Sequence, residues 1–224
     1  MFQNTETLGK RPDLLIFRQS DYRRLQRTYP NIDRLLYVPD TDLPSAVMAA
    51  AVQALEVKNS VIWSDDRPDR NSPAVRKGKG TEFEGEMFRK DARITHTILG
   101  VDEFSHMQTW RDHWGLPLYV AQFCLDRSYL IDFAKAERAV QAGLVDTRTR
   151  TALPSNAQAD LKQHFWFPFS FGKEFGRQTE APFCFPVKVR FADGKHINED
   201  VILGGQWELL PHAKDILLTA AGTL

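Results

Sequence analysis

The run LPLYVAQFCLD, Leu116 to Asp126, constrains this chain most. Its apolar, aromatic and β-branched residues make it the strongest strand signal in the sequence, and RSYLIDF directly after it reads as a hairpin partner. Shorter signals lie on either side. DLLIF, bounded by Gly9 and Pro12, reads as a buried strand starting beside Asp13. SDYRRLQRTYPNIDRLLYV spaces its apolar residues as a short helix broken at Pro30, followed by strand-like RLLYV. LPSAVMAAAVQAL begins as an alanine-rich helix with Ser45 as its N-cap and then changes to strand, at a point the sequence does not mark. RITHTILGV reads as a strand. DEFSHMQTWRDHWG reads as a helix that starts on acids, stops at Gly115 and carries Phe104, Met107 and Trp110 on one face. AKAERAVQAGL is a further short helix.

The remainder, rich in Phe, Gly and Pro, holds a hairpin pattern: PVKVRF, the turn ADGK and the strand EDVIL. Alternating strands and helices followed by a β-rich end predict an α/β protein: a core over 1–150 and a β-rich segment over 151–224. At 224 residues the chain suffices for one sizeable domain, or one with an appendage. Lys and Arg total 29, as do Asp and Glu, so the chain is not coated in positive charge, although a local basic cleft is compatible with that balance. Two cysteines, both in apolar contexts, are too few for a disulfide framework or structural zinc and suit a reducing cytoplasm. MFQNTETLGKRPD has no apolar signal core and no run approaches membrane-span length, so the expectation is a cytoplasmic protein without membrane association.

Against this background AVQALEVKNSVIWS, Ala51 to Ser64, is anomalous. It puts Glu56 and Lys58 at the end of an otherwise apolar strand, where a charged pair costs desolvation unless something meets it. Strand alternation sets Glu56 and Lys58 on one face and Val57 on the other, in the core. If the strand after Asp13 is a neighbour, Asp13 and Glu56 converge. Two such carboxylates repel and favour a divalent cation; hard oxygens of this kind suit Mg2+. Lys58 would then orient or help deprotonate a water, an assembly suited to phosphodiester hydrolysis. The plainer reading is a turn aspartate and a surface ion pair of little energetic value.

Pro12-Asp13 followed by Glu56-Val57-Lys58 resembles the PD-(D/E)XK nuclease superfamily. The segment from Thr97 to Phe133 is similar to the helix, strand and hairpin that follow the catalytic strand in type II restriction endonucleases, with a resemblance to the group typified by AccI. The resemblance covers about the first two-thirds of the chain. It implies a restriction-endonuclease-like core, a central mixed β-sheet flanked by helices. It also implies a Mg2+-dependent endonuclease, a hydrolase of double-stranded DNA acting as a homodimer. Asp13 and Glu56 would bind the metal and Lys58 would act with the attacking water. The helix that often precedes the PD strand and adds a further acid does not fit before Asp13, which leaves three expectations: a truncated chain, another element in the helix's place, or Glu82, Glu84 or Glu86 in the part of the extra acid. Two other functions fit the same residues: a repair or defence nuclease of this fold without strict site specificity, and a catalytically silent DNA-binding module.

SDDRPDRNSPAVRKGK reads as a loop or arm in which Arg67, Arg70, Arg76, Lys77 and Lys79 contact DNA phosphates. His96, His106 and His113 lack ligand-like spacing and read as surface histidines. Asp102 and Glu103 read as helix-capping acids, and Gln122 as a buried glutamine needing a hydrogen bond, equally a support of the active site or a satisfied core residue. The aromatics Phe165, Trp166, Phe167, Phe169 and Phe171 read as a dimer interface.

Overall fold

The computed structural model describes residues 12–32, 43–59, 74–76, 82, 87–89, 96–150, 162–168, 171–180, 183–190 and 197–219. The elements run β1 (Leu14–Phe17), α1 (Gln19–Thr28), α2 (Ser45–Ala50), β2 (Ala51–Asn59), β3 (Ala74–Arg76), β4 (Met87–Arg89), β5 (His96–Gly100), α3 (Val101–Trp114), β6 (Leu118–Phe123), β7 (Arg127–Asp132), α4 (Phe133–Gln141), β8 (Asp146–Arg150), β9 (Lys162–Pro168), β10 (Lys173–Gln178), β11 (Phe183–Arg190), β12 (Ile197–Gly204), β13 (Trp207–Leu209) and α5 (Pro211–Thr219).

Six strands form a mixed sheet in the order β1-β2-β6-β7-β10-β13. β2 and β6 are parallel, and the other neighbours are antiparallel. The fold is therefore mixed α/β, as the alternation of patterns predicts. The hairpin β6–β7 forms as its sequence requires, with Tyr119 opposite Asp132 and Phe123 opposite Ser128. The β11–β12 hairpin pairs from Phe183 with Gly204 to Arg190 with Ile197. β10 and β13, from beyond residue 151, complete the same sheet that β2 and β6 begin.

The period-two alternation of β2 and β6 divides the core into two layers. Ala54, Leu118 and Val120 face α3 and α4, where they meet Phe104, Met107, Trp110, Phe133 and Ala136. Leu55 and Ala121 face the other way, packing with Leu130, Phe175 and Ala213 of α5. β1 is an edge strand, and Leu14 is 46% exposed, so the first strand is not the buried one that its sequence suggests. A four-residue edge strand needs only one covered face, and Leu15 and Phe17 find it against α1 and α2.

Three further expectations are corrected. The helix-to-strand switch lies between Ala50 and Ala51, and Ser45 is the first helical residue; Pro44 holds the N-cap position with no side-chain cap. The segment read as an unstructured arm contains β3, whose Ala74 to Arg76 pair with β4. Phe167 and Phe171 belong to the core, with Phe165 packed against it, and Phe165 and Phe167 both contact the Phe104 ring. Aromatic density here thus fills the space between β9 and α3 and does not form an exposed interface; Phe169 lies outside the described residues. Among the described residues no helix is long and apolar enough to cross a membrane.

Candidate active site

β1 and β2 are neighbours, with Leu14 opposite Leu55, so Asp13 stands beside Glu56 one position further along the ladder. Asp13 Oδ2 accepts a hydrogen bond from the Val57 N–H at 2.8 Å, which ties the acid to the backbone between Glu56 and Lys58. Both residues of the pair point toward the α3 side of the sheet, as Ala54 does two positions earlier. The expected burial is inverted. Glu56 is 1% exposed, whereas Val57, expected in the core, is only half-buried near the strand end. A carboxylate this buried carries a desolvation cost that only a close cation or hydrogen bonds can offset.

Lys58 supplies that cation. Its Nζ donates to Glu56 Oε1 at 3.0 Å and to Glu103 Oε1 at 2.5 Å, with 22% of its side chain exposed. Glu103 sits in the first turn of α3 and also accepts from the Gly100 N–H through Oε2 at 3.4 Å. It is therefore a helix-capping acid, as its sequence position predicts, but it is also the second anchor of Lys58. Sequence reading misses this second role because the two residues are 45 positions apart. The signal available was an acid at the start of the helix leading into the strand parallel to β2.

Two carboxylates thus meet on one ammonium near the carboxyl end of β2, with Asp13 held on the backbone of the same strand, at the end of a sheet where open α/β proteins bind ligands. Gln122 is aligned with Lys58 on the parallel strand β6 and is buried. Its Nε2 donates to Phe123 O at 3.0 Å, satisfying the expectation for a core glutamine. Beside Glu103 a cleft of about 380 Å³ opens, lined by Gly100, Asp102, Glu103, Gln163 and His164 among others. This cleft reaches the group only through Glu103, since Asp13, Glu56 and Lys58 do not line it.

The donor chemistry can be tested against Mg2+. Among the described residues no three His, Cys, Asp or Glu side chains converge as a metal cage. Mg2+ does not require one: it commonly binds through one or two carboxylates and completes its shell with water and substrate phosphate oxygens. Asp13 and Glu56, adjacent on paired strands, fit that mode.

Other expected site residues fall elsewhere. Glu82 is paired with Arg138 of α4 through both carboxylate oxygens, so it is not beside Lys58. Glu84 and Glu86 lie outside the described residues, as do Arg67, Arg70, Lys77 and Lys79; Arg76 is described only as backbone in β3. His106 and His113 are exposed on α3, and the His113 ring contacts Trp114 edge-on. No family model, curated protein or solved structure matches this chain.

Proposed function

We propose that the chain is a Mg2+-dependent DNA endonuclease of the restriction-endonuclease-like fold, acting on specific duplex sites as a homodimer. The observation that carries this reading is the Lys58 ammonium held between buried Glu56 and Glu103, with Asp13 on the adjacent strand. A purely structural ion pair at a strand end needs one acid. Here the formal charge of the group is negative even with Lys58 counted, which favours a cation near the carboxylates. When bound, Mg2+ would polarise a phosphoryl oxygen and lower the pKa of a water.

The chain's own residues have distinct parts. Asp13 and Glu56 would hold the cation, the former oriented by the Val57 N–H. Lys58, held by Glu56 and Glu103, has a third N–H that would orient a water or neutralise charge on a phosphate oxygen. Hydrolysis adds the water oxygen to phosphorus, breaks one P–O ester bond and returns a proton to the departing oxygen. Glu103 restricts the Lys58 rotamers and so keeps that N–H directed.

The test is incubation of the purified chain with phage-length duplex DNA in Mg2+ and in EDTA. Discrete Mg2+-dependent fragments are expected. A smear would replace site specificity with non-specific cutting, and intact DNA would refute the enzyme reading. Asp13→Asn preserves a hydrogen-bond acceptor for Val57 while removing the charge, and is expected to abolish cleavage in a protein that still folds. Lys58→Ala is expected to abolish cleavage while sparing DNA binding.

A further inference from the structure

Helix α1 concentrates positive charge that the chain as a whole does not have. Between residues 18 and 28 lie Arg18, Arg23, Arg24 and Arg27, all exposed, against the single acid Asp21. Arg24 bridges Asp21 at 3.0 Å, whereas Arg23 and Arg27 have no ionic partner among the described residues. At 100° per residue, Arg23, Arg24 and Arg27 fall on the face opposite Leu25 and Tyr22, which pack into the cluster with Val47 and Ala50. Arg23 and Arg27 are four residues apart, so their guanidinium groups are neighbours that repel and weaken the helix. A surface that keeps such a pair is disfavoured on stability alone and is relieved by a polyanion.

The first turn of the helix also borders a cleft of about 330 Å³, lined by Arg18, Asp21, Arg24, the start of β2 and the turn Gly115–Pro117. β2 begins at Ala51 beside this cleft and reaches Glu56 at the candidate site. Five residues of strand span roughly 17 Å at about 3.3 Å each, the length of about five base pairs.

We propose that α1 is a docking surface for the sugar-phosphate backbone of duplex nucleic acid, with Arg23, Arg24 and Arg27 contacting successive phosphates. This rests on the nucleic-acid reading above and assigns it a binding surface separate from the catalytic group. Guanidinium groups form paired hydrogen bonds to phosphate oxygens, and a linear array of them matches a linear array of phosphates. An anionic membrane is the weaker partner, because the apolar stripe of α1 is spent on packing and leaves nothing to insert into lipid.

The experiment is fluorescence anisotropy of a labelled duplex in EDTA, where no cleavage occurs, across a range of salt concentrations. The triple variant Arg23→Gln, Arg24→Gln, Arg27→Gln is compared with the parent, with folding checked by circular dichroism and thermal melting. Each phosphate contact contributes a slope of about −0.9 in log K against log salt, so the triple variant is expected to lose roughly two to three units of slope and to bind at least about tenfold more weakly. The charge-retaining triple Arg→Lys variant is expected to keep the slope. Unchanged affinity and slope in the glutamine variant would overturn the proposal, as would equal losses in the lysine variant. A parent that binds phosphatidylserine vesicles and not duplex would also overturn it. A separate Mg2+ cleavage assay keeps the two readings distinguishable: α1-dependent binding without cleavage leaves this surface standing and removes the nuclease, and cleavage with α1-independent binding does the reverse.

Discussion

Replacing Lys58 by methionine removes the cation held between Glu56 and Glu103 while nearly preserving side-chain volume. Glu56 Oε1 and Glu103 Oε1 lie 3.0 and 2.5 Å from the same nitrogen, so they are at most about 5.5 Å apart. At that separation, with an effective dielectric near 20, their mutual repulsion is roughly 3 kcal/mol. Loss of the attraction to Glu56, which is 1% exposed, adds to this, and stranding one member of a buried pair typically costs about 3–5 kcal/mol. Lys58 and Glu103 are 22% and 23% exposed, so solvent screening and side-chain relaxation reduce the net penalty to about 2–4 kcal/mol. Urea denaturation at neutral pH, followed by circular dichroism, measures this directly. The double variant Glu56→Gln, Lys58→Met is expected to recover part of the loss, with a coupling of at least about 1 kcal/mol in the double-mutant cycle. Lys58→Met within about 0.5 kcal/mol of the parent, the ordinary range for surface substitutions, would refute the claim that this group is desolvated and mutually dependent.

Two other consequences follow from the packing around the site. Arg111 of α3 and Gln108 both donate to Glu137 of α4, at 2.5 and 2.6 Å. The Arg111 hydrogen bond holds the Glu137 carboxyl below its usual range. A carboxyl depressed in the folded state stabilises above its unfolded pKa and loses that contribution as pH falls through the folded value. Glu137→Gln is therefore expected to cost about 1–2 kcal/mol at pH 7 and nothing once the pH is below that folded value, read from urea midpoints at pH 7 and in acid; a pH-independent difference would contradict the linkage. Burial pushes the Cys124 thiol up to about 12, so its thiolate is nearly absent at pH 8. Iodoacetamide labelling followed by peptide mass mapping is expected to leave Cys124 unmodified in the native protein and to modify it in urea; labelling of the native form within tenfold of the unfolded rate would contradict this burial.

Much of the local structure is determined by the sequence itself. LPLYVAQFCLDRSYLIDF has two strand-length runs separated by a short break, so the β6–β7 hairpin is a local consequence of its residues. α3 begins on acids and ends at Gly115, which adopts φ 65°, a conformation glycine takes without steric cost. The unusual placement of Glu56 and Lys58 is also visible from periodicity alone. Other features depend on contacts between segments far apart in the chain, which carry no local signature. The pairing of β1 with β2 brings Asp13 to Val57 across 44 positions, and α3 brings Glu103 to Lys58 across 45. The aromatics of β9 look like an interface until α3 is laid over them and excludes water. Burial inverts at Val57 for the same reason: the covering element lies over Glu56 and Lys58. Sequence chemistry thus selected a carboxylate and a lysine at one strand end, and tertiary packing decided that a second carboxylate from a distant helix would hold that lysine, because only there could the cost of burying Glu56 be offset.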